Sequence, residues 1–563
     1  MLLALIMAAV AAAQPDLILH HGKIVTVDER FAVAQAVAVR GNRIVAVGDN
    51  EAVLARRGPQ TRLLDLGGRT VLPGLIDAHV HALSAALSEF AEPLPQIDSF
   101  AAIQEYIRRR MAATPKGRWI VVPRTFPTRL KELRMPTREV LDVAREHPVM
   151  FDASYVVVVN SFGLKVSGIN RETPDPPGGE IVRDAAGEPN GILRNGQSLL
   201  KGLKSETGRT FTPEQKLRAL EQMLQRYVAA GLTGIGDRAV TEEDIGLYRR
   251  LQAANRLPVR TVLTWRLDAS RPVEDLVRQI HAAPYTPGAG DEWLKFGTFK
   301  VTLDGGMTIG TAYQRQPYGP FGRQLYGQTK PDRGQLFIQP DKLVAIFRAA
   351  RDRGWQLTAH SQGGGAVDAF LDAMEALDKE KRIAPTRSHL MHASFQSREA
   401  LERAARMGVL ADVQAQWLYL DGPALEKVFS YDGLRYFYPL RSYLNAGVRV
   451  AAGSDHMIGY DKNRAVNPYN PFLSLWIMVT RKMRTGRALY PEECINREEA
   501  LRMHTIWAAY MQFSEHERGS IEPGKLADLV VIDRDYLTCP EDQIKDIEPQ
   551  IVILDGKVVA GSL

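Results

Sequence analysis

Cysteine is nearly absent from this chain. Only Cys494 and Cys539 occur among its 563 residues. Two thiols are too few for a disulfide framework or for a zinc site built from cysteine ligands, so both are excluded. The spacing of the two cysteines does not show whether they pair, and we expect two free thiols.

Long apolar runs are absent as well. No segment after residue 13 reaches the ~18 apolar residues needed to cross a bilayer, so we expect no stable membrane span. Residues 1–13, MLLALIMAAVAAA, are apolar and end in small residues, as in a signal peptide with an Ala-x-Ala cleavage site at 11–13. The segment lacks a basic start. We predict a signal peptide and a periplasmic or secreted protein, with a cytoplasmic location as the alternative.

The chain has neither a strong charge bias nor visible internal repeats. Its 71 basic and 65 acidic residues give a net charge of +6, and runs such as Arg108-Arg109-Arg110 lie among apolar residues, as on a solvated helix face. We therefore expect no nucleic-acid partner. With 45% hydrophobic residues, the chain is globular and long enough for more than one domain.

Short apolar segments separated by turns occur at both ends of the chain. They occupy residues 17–65, and the pattern returns at 527–532 and 551–559, where Asp555-Gly556 predicts a hairpin. One small β-sandwich domain built from both termini, residues 14–70 with 516–563, explains this return. Residues 71–515 would then form an inserted domain.

The middle of the chain alternates short apolar strands with helical stretches. One strand ends at His81, and seven more lie at 232–237, 261–265, 296–301, 356–360, 388–392, 408–413 and 448–455. Eight strand–helix units predict an α/β fold with a (β/α)₈ TIM barrel, in which the chemistry lies at the carboxyl ends of the strands.

A long segment, about residues 85–225, separates the first two barrel strands. It has strand-like runs of its own and a Gly/Pro-rich loop at 173–179. An insertion after the first strand emerges on the catalytic face of a barrel, so we predict a cap that shapes the substrate pocket.

His79 and His81 close the first barrel strand. Residues i and i+2 of a strand point to the same face, so the two imidazoles lie side by side. Neutral imidazole is the commonest protein ligand for a metal, and buried imidazoles need polar partners or an ion. The His-x-His spacing alone favours a metal site only as much as packing.

Four further candidate ligands stand at or near the ends of other barrel strands: Lys300, His360, His392 and Asp455. The first-strand pair would share one ion with Asp455, and the two later histidines would hold a second. A carboxylated Lys300 would bridge the ions; an unmodified Lys300 paired with Asp304 is the alternative. The ions would bind a shared water and lower its pKa, and Asp455 would carry its proton to the leaving nitrogen.

The chain resembles the amidohydrolase superfamily, and within it the Amidohydro_3 or YtcJ-like group that includes N-substituted formamide deformylases. The resemblance covers nearly the whole chain and rests on these segments: PGLIDAHVH at 73–81, TPDPPGG at 173–179, Lys300 with Asp304-Gly305, GSD at 453–455, GSIEPGKLADLV at 519–530 and DGKVV at 555–559. It implies metal-dependent hydrolysis of a non-peptide carbon–nitrogen bond and assigns the same six site residues. One or two divalent ions are expected, zinc first by ligand type and family habit, although these ligands also suit manganese, iron or nickel.

Three positions depart from the pattern of this group. Tyr155 stands where the group usually has histidine, Asn195 where it has glutamate, and Gly364 where it has aspartate. None is an expected ligand, but each could line the pocket and alter the substrate.

Four residues are candidates for contact with the substrate: Tyr155, Asn160, Arg194 and His456. Arg194 or a cap residue would hold an anionic group, whereas His456 has a structural role in its loop as an equal alternative. His389 lies three residues before His392, which turns it to the other face of the strand, so we expect it to pack in the core.

Several functions stay compatible with these residues. The substrate would be a small amide, N-formyl, N-acyl, ureido or cyclic amide compound. An ester, lactone or phosphoester hydrolase, or a deaminase with one metal, could use the same site. A catalytically silent binding protein on the same fold is opposed by the six intact ligands. The chain could also form a homodimer.

Overall fold

The computed structural model describes residues 14–176, 178–203 and 210–562. Residues 1–13, for which the sequence predicts a signal peptide, lie outside the described residues, as does Pro177 of the Gly/Pro-rich loop. Within the described ranges, no helix has both the length and the apolar character to cross a bilayer. Cys494 and Cys539 are free thiols, as expected.

The β-strands of the described chain are, in order, β1 (Leu17–His20), β2 (Lys23–Val25), β3 (Val33–Ala34), β4 (Ala36–Arg40), β5 (Arg43–Gly48), β6 (Arg62–Asp65), β7 (Thr70–Pro73), β8 (Leu75–Val80), β9 (Ile120–Val122), β10 (Val149–Asp152), β11 (Val156–Val159), β12 (Glu180–Arg183), β13 (Pro189–Arg194), β14 (Leu232–Val240), β15 (Arg260–Arg266), β16 (Leu294–Thr302), β17 (Gln356–Ser361), β18 (His389–His392), β19 (Leu410–Val413), β20 (Val450–Ala452), β21 (Leu529–Ile532), β22 (Pro549–Leu554) and β23 (Lys557–Gly561).

The α-helices of the described chain are α1 (Asn50–Leu54), α2 (Ala82–Ser88), α3 (Phe100–Ala113), α4 (Arg138–Leu141), α5 (Ser161–Ser167), α6 (Pro213–Ala229), α7 (Glu242–Ala253), α8 (Val273–His281), α9 (Pro320–Tyr326), α10 (Pro340–Asp352), α11 (Gly364–Glu380), α12 (Arg398–Met407), α13 (Gln416–Gly433), α14 (Leu440–Asn445), α15 (Pro471–Thr480), α16 (Arg497–Met503) and α17 (Ile506–Met511).

Eight parallel strands form the central sheet, in the order β8, β14, β15, β16, β17, β18, β19, β20. The sheet closes on itself because the segment after β20 bonds to the end of β8. The Asp455 amide donates to the His79 carbonyl at 2.8 Å, and the His81 amide donates to the His456 carbonyl at 2.8 Å. Helices separate the strands, so the predicted α/β TIM barrel is confirmed.

Local sequence signals set the starts of several barrel helices. Thr212 caps α6 in a reciprocal capping box with Gln215, and Pro213 takes the first helical position. Thr241 and Asp244 form the same box at the start of α7. Each box satisfies two backbone N–H groups that a helix start leaves unpaired. The strand-to-helix turns are therefore encoded locally.

Both termini contribute to the sheets outside the barrel. One four-stranded sheet has the order β5, β4, β1, β6, and a six-stranded sheet has the order β23, β22, β21, β7, β2, β3. In the second sheet β7 pairs with β21, with Leu72 opposite Val530. The predicted hairpin joins β22 to β23 through Asp555 and Gly556, which both have positive φ, as a two-residue turn requires.

β7 reaches Pro73, beyond the predicted domain boundary at residue 70. The division into 14–70 with 516–563, a barrel at 71–515 and a cap at 85–225 stays a prediction. Between β8 and β14 the chain does form a separate five-stranded sheet, in the order β12, β13, β11, β10, β9.

Several contacts join this inserted sheet and its loops to segments that follow barrel strands. Arg129 pairs with Asp421 of α13 at 2.7 Å, and Arg194 donates to the Tyr326 carbonyl at the end of α9 at 2.8 Å. These segments lie at the carboxyl ends of the strands. The insertion therefore contacts segments that follow two of the barrel strands.

Candidate metal centre

His79 and His81 lie at the mouth end of β8, where the barrel closes. Their rings are 5.3 Å apart between centroids. The Oδ1 atom of Asp455 lies 3.4 Å from Nε2 of His79 and 3.3 Å from Nε2 of His81. The three side chains thus offer ligand atoms that all lie within 4.8 Å of one another.

Two further predicted ligands continue this cluster. The ring of His392 lies 4.9 Å from that of His79, and the ring of His360 lies 4.4 Å from that of His392, between centroids. All four histidines therefore line one continuous site. The strands bring them together because β17, β18 and β8 end at the same rim.

The loop after β20 carries Asp455 into the site by a close approach to β8. A Cβ on Gly453 would lie 2.7 Å from the His79 backbone nitrogen, so only glycine fits there. Asp77 accepts from the amides of both His79 and Ser454, at 3.0 and 2.9 Å. Asp455 itself has φ of +56°, a strained conformation typical of functional sites.

Hydrogen bonds from other side chains fix three of the imidazoles. His79 Nδ1 lies 3.2 Å from Asp412 Oδ2, and His360 Nδ1 lies 2.9 Å from Asp304 Oδ1. His392 Nδ1 lies 2.8 Å from Gln414 Oε1. An acceptor at Nδ1 places the ring hydrogen there and leaves Nε2 as the free lone pair.

The charge states of these groups suit metal binding. Burial, with the nearby charges of Lys300 and neighbouring histidines, lowers the pKa of His79 well below its ordinary value and lowers the pKa of both His360 and His392 to about 3. Neutral imidazole is the form that binds metals. Burial alone would raise the pKa of Asp455, but the hydrogen bond from His81 and nearby cations hold it below its ordinary value.

Lys300 lies on β16 with its side chain buried in the barrel. Burial, together with Arg238 and Arg266, lowers the pKa of Lys300 to about 8, although Asp455 and Asp412 oppose this shift. The Lys300 amine is therefore more often neutral than that of an exposed lysine. Its carboxylation stays a prediction.

One specific observation indicates that a divalent ion fits this site. His79 Nε2 is buried and has no hydrogen-bond partner among the described residues. With its hydrogen on Nδ1 toward Asp412, the ring directs a lone pair at the Asp455 carboxylate, which repels it. A cation between the two removes that repulsion. The Nε2 atoms of His79 and His81 lie 3.3–3.4 Å from Asp455 Oδ1, and ligand atoms around a tetrahedral ion with ~2 Å bonds are separated by a similar distance.

Residues 62–560 match the model of the amidohydrolase family, which bears the name Amidohydro_3. The chain belongs to the amidohydrolase family. It is 32% identical over 551 residues to the N-substituted formamide deformylase of Arthrobacter pascens, covering 96% of this chain and 97% of that protein. It is 26% identical to the amidohydrolase YtcJ of Bacillus subtilis, over 96% of this chain and 98% of that protein. The predicted resemblance is thereby confirmed.

Solved structures support the fold of this amidohydrolase. A metal-dependent hydrolase from Pyrococcus horikoshii superposes with a TM-score of 0.68 at 20% identity, covering 93% of this chain and 99% of that one. The match to this family and the similarity to the deformylase show that the chain is a metal-dependent enzyme that hydrolyses carbon–nitrogen bonds. The individual ligand roles of the six predicted residues stay predictions.

Of the four predicted substrate contacts, Tyr155 lies beside the metal centre of the amidohydrolase. Its ring is 5.8 Å from that of His360 and is half-buried. Burial and the charges of Asp304 and Asp455 raise the pKa of Tyr155, so the hydroxyl stays protonated and can donate a hydrogen bond.

The other three have structural partners instead. Asn160 caps α5: its Oδ1 accepts from the Gly163 amide at 2.8 Å, and its Nδ2 donates to two backbone carbonyls. Arg194 pairs with Glu180 at 2.5 Å. His456 contacts the Tyr227 hydroxyl at 2.8 Å through Nδ1 and the Gly459 carbonyl at 2.8 Å through Nε2. Most of their side-chain polar atoms are used within the protein, which argues against direct substrate contacts, although Arg194 Nε has no hydrogen-bond partner among the described residues.

Two of the departures from the family pattern have local explanations in this amidohydrolase. A Cβ on Gly364 would meet Nη1 of Arg315 at 2.4 Å, and Arg315 is held by a bidentate pair with Asp368. Asn195 has φ of +47° and donates to the Gly178 carbonyl at 3.1 Å. His389 is fully buried, and the strand register places it beside Thr358. Its role in core packing stays a prediction.

Sequence reasoning missed the carboxylate and amide that orient the histidines from β19 and its following loop. Asp412 and Gln414 stand at the mouth end of that strand, like the ligands themselves. Their position at a strand end is the signal that could have identified them.

A cavity of about 470 Å³ lies between the inserted segment and the mouth of this amidohydrolase barrel. Its lining is mainly apolar: Leu87, Leu94, Tyr106, Val121, Phe211, Met457 and Ile458. Met457 and Ile458 come from the loop that also carries Asp455, whereas none of the six predicted ligands is among the lining residues. Arg124 and Asp152, which pair at 2.9 Å, form one polar edge.

Arg266 is a cation on the same rim. On β15, Thr264 faces the barrel interior and accepts from Arg238 at 3.0 Å, whereas Trp265 stacks on Phe299 in the outer layer. Because successive side chains of a strand point to opposite faces, Arg266 points to the same interior side as Thr264 and lies two residues nearer the barrel mouth. Its side chain is exposed, and no described residue forms a hydrogen bond or ion pair with its guanidinium.

Proposed function

We propose that this amidohydrolase cleaves a small amide, N-formyl, N-acyl, ureido or cyclic amide at the metal centre, with Asp455 as general base and acid. The observation that carries the proposal is the buried, unpartnered Nε2 of His79, directed at the Asp455 carboxylate. With the ring hydrogen on Nδ1, a cation between Nε2 and the carboxylate would offset the repulsion between them.

The proposed ligand sets divide the cluster between two ions. His79, His81 and Asp455 would hold one ion, and His360 with His392 a second. A carboxylated Lys300 would bridge them. Zinc suits the nitrogen and oxygen donors. When bound, such ions polarise the scissile carbonyl and lower the pKa of water toward neutrality.

The chain's own groups then move the proton. Asp455 is ionised and faces His81, so it can take a proton from the attacking water. As the carbon–nitrogen bond breaks, the same carboxyl returns the proton to the leaving nitrogen, and the amine departs neutral. Tyr155, protonated and adjacent to His360, is placed to donate a hydrogen bond to the substrate.

The cavity next to Met457 would take the apolar substituent of the substrate. Its volume of about 470 Å³ suits a ring or short chain, and its lining offers apolar surface. Arg194 was expected to hold an anionic group, but Glu180 already neutralises it. We assign that role to Arg266, which has no such partner among the described residues.

Steady-state assays on a panel of N-formyl, N-acyl, ureido and cyclic amides, each beside its ester counterpart, test the proposal. We expect amide turnover that a chelator abolishes and zinc restores. Asp455→Asn should lower kcat by about 10²–10⁴-fold. Asp461→Asn, an exposed carboxylate of the next loop, is the matched control.

Ester turnover with every amide inert would contradict the proposal. So would a chain that binds less than one ion per molecule, which would instead indicate a binding protein. Measuring the metal content of Asp455→Asn separates loss of the ion from loss of proton transfer.

A further inference from the structure

A second group of metal-ligand side chains lies outside the barrel, in the four-stranded terminal sheet. His20, His21 and Asp65 offer ligand atoms that lie within 4.8 Å of one another. β1 and β6 pair in parallel with His20 opposite Asp65, and His21 follows at the end of β1. These histidines show no ligand spacing along the chain, because the carboxylate comes from a segment 44 residues away.

The contacts within this group conflict as hydrogen bonds. His21 Nδ1 lies 3.1 Å from His20 Nδ1 and 3.0 Å from Asp65 Oδ2. An imidazole nitrogen carries at most one hydrogen. If His21 Nδ1 carries the hydrogen and donates it to Asp65, the same hydrogen must also bond to the lone pair of His20 Nδ1. If His20 Nδ1 carries the hydrogen and donates it to His21, the lone pair of His21 Nδ1 faces a carboxylate oxygen of Asp65. No arrangement of one proton gives both contacts a full bond.

A divalent cation satisfies all three lone pairs. Bonds of ~2.0–2.2 Å in a tetrahedral site place neighbouring donor atoms roughly 3.3 Å apart, close to the separations here. Two imidazoles and one carboxylate form a donor set that zinc accepts. The side chains of His21 and Asp65 are 53% and 59% exposed, so water can complete the coordination.

The backbone holds the group in place without the ion. His21 has φ of +53°, which turns its side chain out of the strand pattern toward Asp65. Its amide donates to Asn50 Oδ1 at 2.8 Å, and its carbonyl accepts from the Gly68 amide at 2.7 Å. Asp65 is fixed as well, because its Oδ1 accepts from the Gly67 amide at 2.9 Å.

We propose that His20, His21 and Asp65 form a second, structural zinc site that ties β1 to β6, separate from the catalytic centre. The ion would cross-link two strands of the terminal sheet. It takes no part in hydrolysis, so the inference stands independently of the proposed function.

Equilibrium dialysis of the full chain against rising zinc concentrations tests this site. The variants are His21→Asn, in which asparagine tolerates the positive φ, and Asp65→Asn, which keeps the shape of the side chain. His516→Asn is the control: His516 is exposed and contacts one carboxylate, Glu515, at 3.5 Å. We expect the first two variants to bind one zinc ion fewer per chain, and the control to match the parent.

Thermal unfolding in chelator checks that each variant folds, and zinc should then raise the melting temperature of the parent more than that of His21→Asn. Zinc isotherms of His21→Asn and Asp65→Asn that superimpose on the parent's would overturn the proposal. An equal loss in His516→Asn would also overturn it, because it would indicate unspecific binding to surface histidines.

Discussion

Three of the clustered imidazoles share one arrangement at the level of single atoms. His79, His360 and His392 each engage a side-chain oxygen through Nδ1, which leaves Nε2 directed into the site. These oxygen atoms favour the tautomer with its hydrogen on Nδ1 in the absence of an ion. A site prepared in this way loses little free energy to reorganisation on binding.

Arg266 offers a test of substrate charge at this scale. We expect Arg266→Gln to raise KM for a carboxylate-bearing amide by roughly tenfold, about 1.4 kcal/mol, and to leave kcat nearly unchanged. The measurement compares this substrate with its neutral carboxamide analogue.

The neutral analogue should be hydrolysed equally well by Arg266→Gln and the parent. Arg271→Gln, a neighbouring exposed arginine that pairs with Asp275, is the control. An equal rise in KM for both substrates would show that Arg266 does not recognise the negative charge of the substrate.

Residue roles were the least predictable part of the site. The histidines and Asp455 were located because strand ends converge in a barrel. Arg194 and His456 were candidates for substrate contact, with a structural loop role as the alternative for His456. Arg194 pairs with Glu180, and His456 contacts Tyr227 and Gly459. Those partners come from other segments of the chain, and no local pattern shows them.

At the level of elements, β19 and the loop that follows it support the metal centre without supplying a predicted ligand. Asp412 and Gln414 contact the imidazoles that end β8 and β18. Gln414 Nε2 also donates to Asp412 Oδ1 at 2.9 Å, so the two form one network. One strand and the loop that follows it thus contact ligands from two other strands.

We expect Asp412→Asn to weaken zinc binding at the catalytic centre by about 10–100-fold, because His79 loses its carboxylate partner at Nδ1. Competition with a chromophoric chelator measures this change. Asp368→Asn, which removes a carboxylate paired with Arg315 away from the imidazoles, is the control. Parent-like zinc affinity in Asp412→Asn would contradict this role.

The barrel strands themselves could be predicted well from the sequence. All eight were found because fully buried parallel strands are short apolar runs between helical stretches. The inserted sheet was harder to predict, since β12 and β13 contain polar residues, and β13 pairs both with β12 and with the earlier strand β11.

At the level of the whole molecule, a buried ion pair joins the barrel to the terminal sheets. Arg260, at the start of β15, donates to Asp528 at 2.7 and 3.0 Å and to Asp555 at 3.1 Å. The side chains of Arg260 and Asp528 are 1% and 3% exposed. Their burial makes each charge dependent on the other.

We expect Asp528→Asn to lower the free energy of unfolding by about 3–5 kcal/mol, because it leaves a buried guanidinium without its main partner. The shift of the urea midpoint measures the loss. Asp275→Asn removes an exposed pair with Arg278 and should cost at most about 1 kcal/mol. Equal midpoints for the two variants would contradict the role of the buried pair.

The position of β7 between β2 and β21 has a consequence for synthesis of the protein. While the ribosome is still making the barrel, β7 has already been translated but its neighbour β21 does not yet exist, so one edge of the growing sheet is open. Open strand edges attract other chains. A nascent chain stalled before residue 529 would therefore aggregate through this edge, and a chaperone that shields it would matter most during the last stage of translation.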